Sequence, residues 1–176
     1  VAEAQLLERL HLAAHDTLTG LYNRRRADEF LRREIARAMR TGHPLCVALA
    51  DIDHFKLIND GHSHGIGDRV LERVSKIFAE RMRESDLVAR YGGEEFLFCF
   101  VGALEVDAAR VCEELRLAVE CEDWDRLAMG LNVTMSVGIA AIIAPAASRL
   151  RSVKYSPLSL FSAAVIGRFA PVLMST

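Results

Sequence analysis

Apolar residues recur along the chain with two different periods. A spacing of three and four residues, typical of amphipathic helices, extends over 3–14, 23–40, the segment from about 69 to 82, and 105–121. Apolar runs or alternation over four to eight residues, typical of strands, occupy 45–52, 86–91, 95–101 and 132–140. A short helix is expected after Asp53, followed by a polar, glycine-rich stretch over 59–68.

The order of these segments indicates an α/β fold, described equally well as an α+β sandwich, because helices alternate with a sheet of mixed strand direction. The chain divides into a linker helix at 1–14, a domain at 15–141 and a C-terminal segment at 142–176. Composition sets the C-terminal segment apart, since no Asp or Glu follows Asp125 and residues 144–176 are rich in Ser, Ala and Pro. The apolar stretch 158–174 is too short for a membrane span, which needs about 20 residues.

Composition narrows the class of partner. The chain is 51% hydrophobic and carries a net charge of −2, which favours neither nucleic acid nor an anionic membrane as partner. The four cysteines form no CxxC pair, and we expect buried free thiols in the cytoplasm. They are Cys46, Cys99, Cys112 and Cys121.

Carboxylates are predicted at two neighbouring places in the sheet. Asp51 ends the apolar strand 45–52, and Glu94 and Glu95 follow the glycine turn of a hairpin. If the two strands are neighbours, the acids converge and can hold Mg²⁺ together with substrate phosphates. The alternative is an ordinary hairpin with solvated acids, which is the commoner case for such a hairpin in isolation.

The helix expected after Asp53 offers an anion site. Free N–H groups near His54, Phe55 and Lys56 would attract phosphate, although a capped helix without a ligand has the same pattern. Downstream, Asn59 and Asp68 have the donors and acceptors that match a guanine edge, but each is also a common cap or turn residue.

Three histidines, His54, His62 and His64, raise the alternative of a zinc site. An HxH spacing in a loop without cysteine nearby is weak support for zinc. Magnesium would in any case prefer the acids.

Five segments together resemble the GGDEF domain of bacterial diguanylate cyclases, in the GGEEF variant. They are 16–25 (DTLTGLYNRR), 51–60 (DIDHFKLIND), 64–68 (HGIGD), 92–96 (GGEEF) and 132–139 (NVTMSVGI). The resemblance covers about 15–141. It implies a five-stranded, mainly antiparallel sheet like that of nucleotide cyclases and polymerase palms, and condensation of two GTP into cyclic di-GMP by a homodimer.

The resemblance also implies roles for individual residues. Asp51, Glu94 and the Ile52 carbonyl would hold Mg²⁺, or alternatively Mn²⁺, and Glu95 would position the metal or activate the 3′-hydroxyl. The catalytic set is therefore Glu94, Glu95 and Asp51. The substrate-binding set is Asn59, Asp68, Phe55, Lys56, His64, Gly92 and Gly93.

Arg83 and Asp86 match the family's RxxD inhibitory site, with Arg90 as a third candidate. The guanidinium of Arg83 could pair with product phosphate or guanine. An ordinary surface ion pair is the alternative.

Two departures from the family pattern affect function. Ser63 stands where glycine is usual, and a positive φ there would strain the backbone. The family's last helix, and the G-R-N segment and strand that follow it, have no counterpart in 142–176, and with them the Lys and Arg that contact the triphosphate are missing. The alternative function is therefore a catalytically impaired module that binds cyclic di-GMP or GTP, regulated like the enzyme by an upstream sensory domain.

Overall fold

The structure is a computed structural model that describes residues 11–142, the single residue Gln5, and the backbone of Ser152–Val153. Residues 11–14 are helical, and the rest of the predicted linker helix, Gln5 excepted, lies outside the described residues. So does most of the predicted C-terminal segment 142–176. The helices are α1 (Arg24–Thr41), α2 (Phe55–His62), α3 (His64–Arg81) and α4 (Glu105–Glu120), with a 3₁₀ turn at Trp124–Arg126. The strands are β1 (Tyr22–Asn23), β2 (Leu45–Ile52), β3 (Leu87–Arg90), β4 (Glu95–Val101), β5 (Met135–Ile142) and β6 (Ser152–Val153).

The strands form one sheet in the order β1-β3-β4-β2-β5-β6. β2 is central and pairs antiparallel with β4 and with β5, and the pairing of β1 with β3 is parallel. The predicted mixed, mainly antiparallel sheet with flanking helices is confirmed. It contains six strands because two-residue strands, β1 and β6, extend its two edges.

Helices cover both faces of the sheet, which explains why β2 is apolar on both sides. One face packs against α3 and α4, where Phe78 makes edge-to-face contacts with Phe96 and Phe98 at centroid distances of 5.1 and 5.0 Å. The other face packs against α1 through residues such as Leu31 and Ile35. Each such fully buried side chain stabilises the fold by roughly 1.5–3 kcal/mol.

Helix α1 begins and ends at the residues expected from its sequence. The Asn23 side chain accepts a hydrogen bond from the Arg26 N–H at 3.0 Å, which is an N-cap. Gly42, with φ of 73°, ends the helix in the left-handed conformation.

The prediction of an irregular polar stretch over 59–68 was wrong. Helix α2 begins at Phe55 as expected, but it continues to His62, and α3 begins at His64. The break between them is confined to Ser63, whose φ of 108° and ψ of 156° lie outside the usual regions for a residue with a side chain. Packing on the core explains the helices, since Ile58 of α2 and a whole face of α3, from Gly67 to Phe78, are buried.

Three of the four cysteines are buried free thiols, as predicted, but Cys121 is exposed because it follows the last turn of α4. Burial raises the pKa of Cys46 and of Cys112 to about 12, so both are unreactive thiols. Among the helices of the described residues, none has the length and apolar character needed to cross a bilayer.

Candidate active site

The sheet register brings the predicted acids together. Asp51, near the end of β2, is directly opposite Glu95, the first residue of β4. The Ile52 N–H donates to the Glu94 carbonyl at 3.3 Å, so Glu94 lies beside the same end of β2. The predicted convergence of these side chains therefore follows from β2 and β4 being neighbouring strands.

This concentration of carboxylates perturbs Asp51. Burial, together with the negative charges of Glu94, Glu95 and Asp53, raises its pKa to about 6. Carboxylates that repel each other in a half-buried site fit a divalent cation, which would remove the repulsion.

A metal at this place would rely on few protein ligands. In the described part of the chain, no group of three or more His, Cys, Asp or Glu side chains is arranged to hold a metal ion. That finding applies equally to the zinc alternative at His54, His62 and His64. Magnesium commonly uses one or two carboxylates and takes its other ligands from substrate phosphates and water, so Asp51, Glu94 and the Ile52 carbonyl fit it.

Asp53 is held by the neighbouring strand. Its carboxylate accepts hydrogen bonds from the hydroxyls of Thr134, at 2.7 Å, and Ser136, at 2.6 Å. Its N–H donates to the Thr134 carbonyl at 3.0 Å. These bonds fix the turn between β2 and α2, and they position the start of α2 relative to Asp51.

The two glycines of the hairpin tip have different surroundings. A Cβ on Gly92 would overlap with the Glu95 carboxylate, whereas a Cβ on Gly93 would meet no atom within 4 Å. Gly92 is thus required for the packing of Glu95 over the tip. Gly93 is exposed and leaves the tip open to a ligand.

The Arg90 side chain links this tip to the turn 16–20 at the start of the domain. Its Nε and Nη2 donate to the Gly93 carbonyl at 3.0 and 2.8 Å, and its Nη1 donates to Asp16 at 3.2 Å. Asp16 also accepts hydrogen bonds from the N–H and hydroxyl of Thr19. Burial opposes the charged form of Asp16, but these bonds outweigh it and lower its pKa. The sequence predicted that Arg90 is a third candidate for product binding. In the structure, its guanidinium bonds to Gly93 and Asp16 within the domain.

The predicted guanine-binding residues gather at the corner between α2 and α3. A Cβ on Gly67 would overlap with Asn59 Oδ1 and would lie 3.2 Å from the ring of Phe55, so both side chains pack on the first turn of α3. Asp68, in that same turn, and His64 are exposed.

The N-terminus of α2 lies directly beyond β2. His54 precedes it in the left-handed conformation, with φ of 55°, and makes no side-chain cap. The first N–H groups of a helix have no partner inside the helix. Those of Phe55 and Lys56 therefore stand at the same end of β2 as Asp51, with the exposed Lys56 side chain beside them.

Arg83 and Asp86 form the turn between α3 and β3. The Asp86 N–H donates to the Arg83 carbonyl at 3.0 Å, and the Asp86 carboxylate accepts from the Val101 N–H at 3.0 Å. Burial raises the pKa of Asp86, although the Arg83 charge opposes this. Arg83 is exposed. The four residues of β3 separate this turn from the hairpin tip by roughly 13 Å.

Comparison with known proteins identifies the family. The family described as "Diguanylate cyclase, GGDEF domain" matches residues 13–154 of the chain. This chain belongs to the GGDEF-domain family. The resemblance inferred from the five motifs is therefore confirmed.

Curated relatives of this GGDEF domain are named as cyclases and regulators. Diguanylate cyclase DosC of Escherichia coli K12 is 42% identical over 131 residues, which cover 74% of this chain and 28% of DosC. Response regulator PleD of Caulobacter vibrioides is 38% identical over 166 residues, which cover 93% of this chain and 36% of PleD. The chain thus spans about a third of the length of these relatives.

A solved structure has the same fold. The coiled coil and GGDEF domain of DgcB from Caulobacter crescentus, in complex with c-di-GMP, superposes with a TM-score of 0.74 at 31% identity. The superposition covers 84% of this chain and 78% of the chain in that structure. The α+β fold predicted from the sequence, a mixed sheet flanked by helices, is shared with this neighbour.

Sequence reasoning missed the residues that hold the GGDEF site in place. Asp16 and Thr134 were not candidates, because Asp16 bonds to Arg90 and Thr134 bonds to Asp53, each far away in sequence. One kind of signal for such residues was present in the sequence, a hydroxyl side chain next to or inside an apolar strand. Thr134 precedes β5, and Ser136 lies within it.

Proposed function

We propose that this GGDEF domain condenses two GTP molecules into cyclic di-GMP, with release of two pyrophosphates. The observation that carries the proposal is the pairing of Asp51 with Glu95 across β2 and β4, beside an open glycine tip. Attack of a 3′-hydroxyl on an α-phosphate needs charge neutralisation and alignment, and this arrangement can supply both.

Asp51, Glu94 and the Ile52 carbonyl are the proposed ligands of Mg²⁺, with Mn²⁺ as a substitute. The bound ion would supply charge neutralisation for the triphosphate. Glu95, directly opposite Asp51, orients the 3′-hydroxyl and accepts its proton. A carboxylate placed within hydrogen-bonding reach of the hydroxyl can take up that proton as a general base.

The remaining substrate contacts are proposed for residues of α2 and of the corner between α2 and α3. The N-terminus of α2 and Lys56 bind phosphate. Asn59 and Asp68 bind the guanine edge, whose N1–H and N2–H₂ groups match their acceptors. Phe55 and His64 border this pocket, while Gly92 and Gly93 allow the nucleotide to approach the backbone.

The product requires two nucleotides in opposite orientation, and each domain offers one such site. The active form is therefore a homodimer with the two sites face to face. Cyclic di-GMP inhibits it by binding the turn of Arg83 and Asp86, where an exposed guanidinium can bind phosphate or guanine, and Arg90, at the other end of β3, is the third candidate contact. The free thiols support a cytoplasmic location, and an upstream sensory domain would control dimerisation.

The test is incubation of the protein with GTP and Mg²⁺, followed by chromatography of the nucleotides. Glu94→Gln should abolish cyclic di-GMP formation while leaving its binding through Arg83 intact. Arg83→Ala should relieve product inhibition, and Glu84→Gln, a neighbouring exposed acid, is the matched control and should change neither. Binding of cyclic di-GMP by a wild-type protein that makes none would instead establish the receptor function.

A further inference from the structure

Tyr91 is the last residue before the glycine tip, and its side chain is almost completely enclosed. It is 6% exposed and belongs to the apolar cluster beneath α1 that also contains Ala27 and Leu31. Its ring therefore points away from the candidate nucleotide pocket and toward α1.

Two polar side chains of α1 hold this ring. The Tyr91 hydroxyl donates to the carboxylate of Asp28 at 3.0 Å, and the guanidinium of Arg24 lies over the ring at 4.8 Å from its centroid. Residues four apart on a helix share one face, so Arg24 and Asp28 form a single contact surface for Tyr91. Neither belongs to the proposed metal or nucleotide sites.

The backbone of Tyr91 determines the path of the tip. Its N–H donates to the Glu95 carbonyl at 2.7 Å, and the N–H of Gly92 donates to the same oxygen at 3.2 Å. Tyr91 and Gly92 therefore both face Glu95, so two residues oppose one, as in a β-bulge. A displacement of Tyr91 would move Gly92 and Glu95 with it.

We infer that Asp28 and Tyr91 are positioning residues that hold the glycine tip, and with it Glu94 and Glu95, in register with Asp51. Two adjacent glycines have little conformational preference of their own, so their flanks must fix the tip. A half-buried hydroxyl–carboxylate hydrogen bond is directional and strong enough for this. The expected loss of catalytic rate rests on the proposed cyclase function. The expected loosening of the tip does not.

The test compares Tyr91→Phe and Asp28→Ala, which both remove the hydrogen bond, with Asp28→Asn, which keeps an oxygen acceptor. Glu29→Ala is the matched control, since Glu29 is exposed and pairs only with Arg26 in the described contacts. Three quantities are measured: kcat, the Mg²⁺ concentration for half-maximal activity, and hydrogen exchange of the amides at 92–94.

Loss of the bond should lower kcat about tenfold and raise the half-maximal Mg²⁺ concentration several-fold, with KM for GTP nearly unchanged. Exchange at 92–94 should become faster. Asp28→Asn should stay close to wild type, and the double variant of Tyr91→Phe with Asp28→Ala should be no worse than either single one.

Wild-type exchange and Mg²⁺ dependence in Tyr91→Phe would overturn the inference, as would an equal loss in Asp28→Asn and Asp28→Ala. If the wild-type protein forms no cyclic di-GMP, the proposed function fails. The exchange measurement then still decides whether Asp28 and Tyr91 hold the tip.

Discussion

Ser63 offers the sharpest test of the local structure. It joins α2 to α3 with φ of 108° and ψ of 156°, a region that is populated almost only by glycine and costs a residue with a Cβ about 1–3 kcal/mol. Ser63→Gly removes that strain, while the greater freedom of glycine in the unfolded chain subtracts about 0.4–1 kcal/mol. The net expectation is a stabilisation of about 1 kcal/mol, or roughly 2–4 °C in Tm for a domain of this size.

Thermal and urea unfolding, followed by circular dichroism, measure this change. Ser63→Ala is the matched control, because alanine keeps the Cβ and therefore the strain, and its free energy of unfolding should lie within about 0.5 kcal/mol of wild type. If Ser63→Gly lowers stability by the ~0.5–1 kcal/mol usual for an added glycine, Ser63 is not strained and the reasoning is wrong.

Three further changes test the core, the N-terminal turn and the tip. Ser75→Ala should raise the free energy of unfolding by about 1 kcal/mol in urea titrations, because the Ser75 hydroxyl is buried without a hydrogen-bond partner among the described residues. Asp16→Asn should cost about 1–2 kcal/mol at pH 7, since it weakens the bond from Arg90. Folding lowers the Asp16 pKa. The difference in free energy of unfolding between wild type and Asp16→Asn should therefore be complete above pH ~4 and disappear as the pH falls through the lowered pKa. A constant difference down to pH 2 would contradict this reasoning. Gly92→Ala should reduce cyclase activity at least tenfold by displacing Glu95, and unchanged activity would show that the tip tolerates a side chain.

The sequence predicted those elements that are determined by local pattern. The unbroken apolar run of β2 and the glycine pair between β3 and β4 both indicated their structures, because burial and turn chemistry act over a few residues. Helices α2 and α3 were partly missed for the same reason. Their junction is rich in glycine and polar residues, and the two glycines Gly65 and Gly67 lie inside a helix where packing, not propensity, decides.

The acids of the candidate site could be predicted from the sequence, but the hydrogen bonds that hold the site in place could not. Asp51 and Glu95 are recognisable because each lies at the end of an apolar strand, within a segment that resembles a motif of the family. The hydrogen bond of Asp53 to Thr134 spans 81 positions, and that of Tyr91 to Asp28 spans 63. No local pattern encodes such pairs, since only the completed sheet brings their members together.

The central claim is tested most directly by the products formed from GTP and Mg²⁺ at high protein concentration. The account predicts cyclic di-GMP and pyrophosphate in a ratio of one to two, with a rate that rises faster than linearly with protein concentration because two domains must meet. Glu94→Gln should form neither product. Absence of cyclic di-GMP from the wild-type reaction, or its formation at the wild-type rate by Glu94→Gln, would contradict the account.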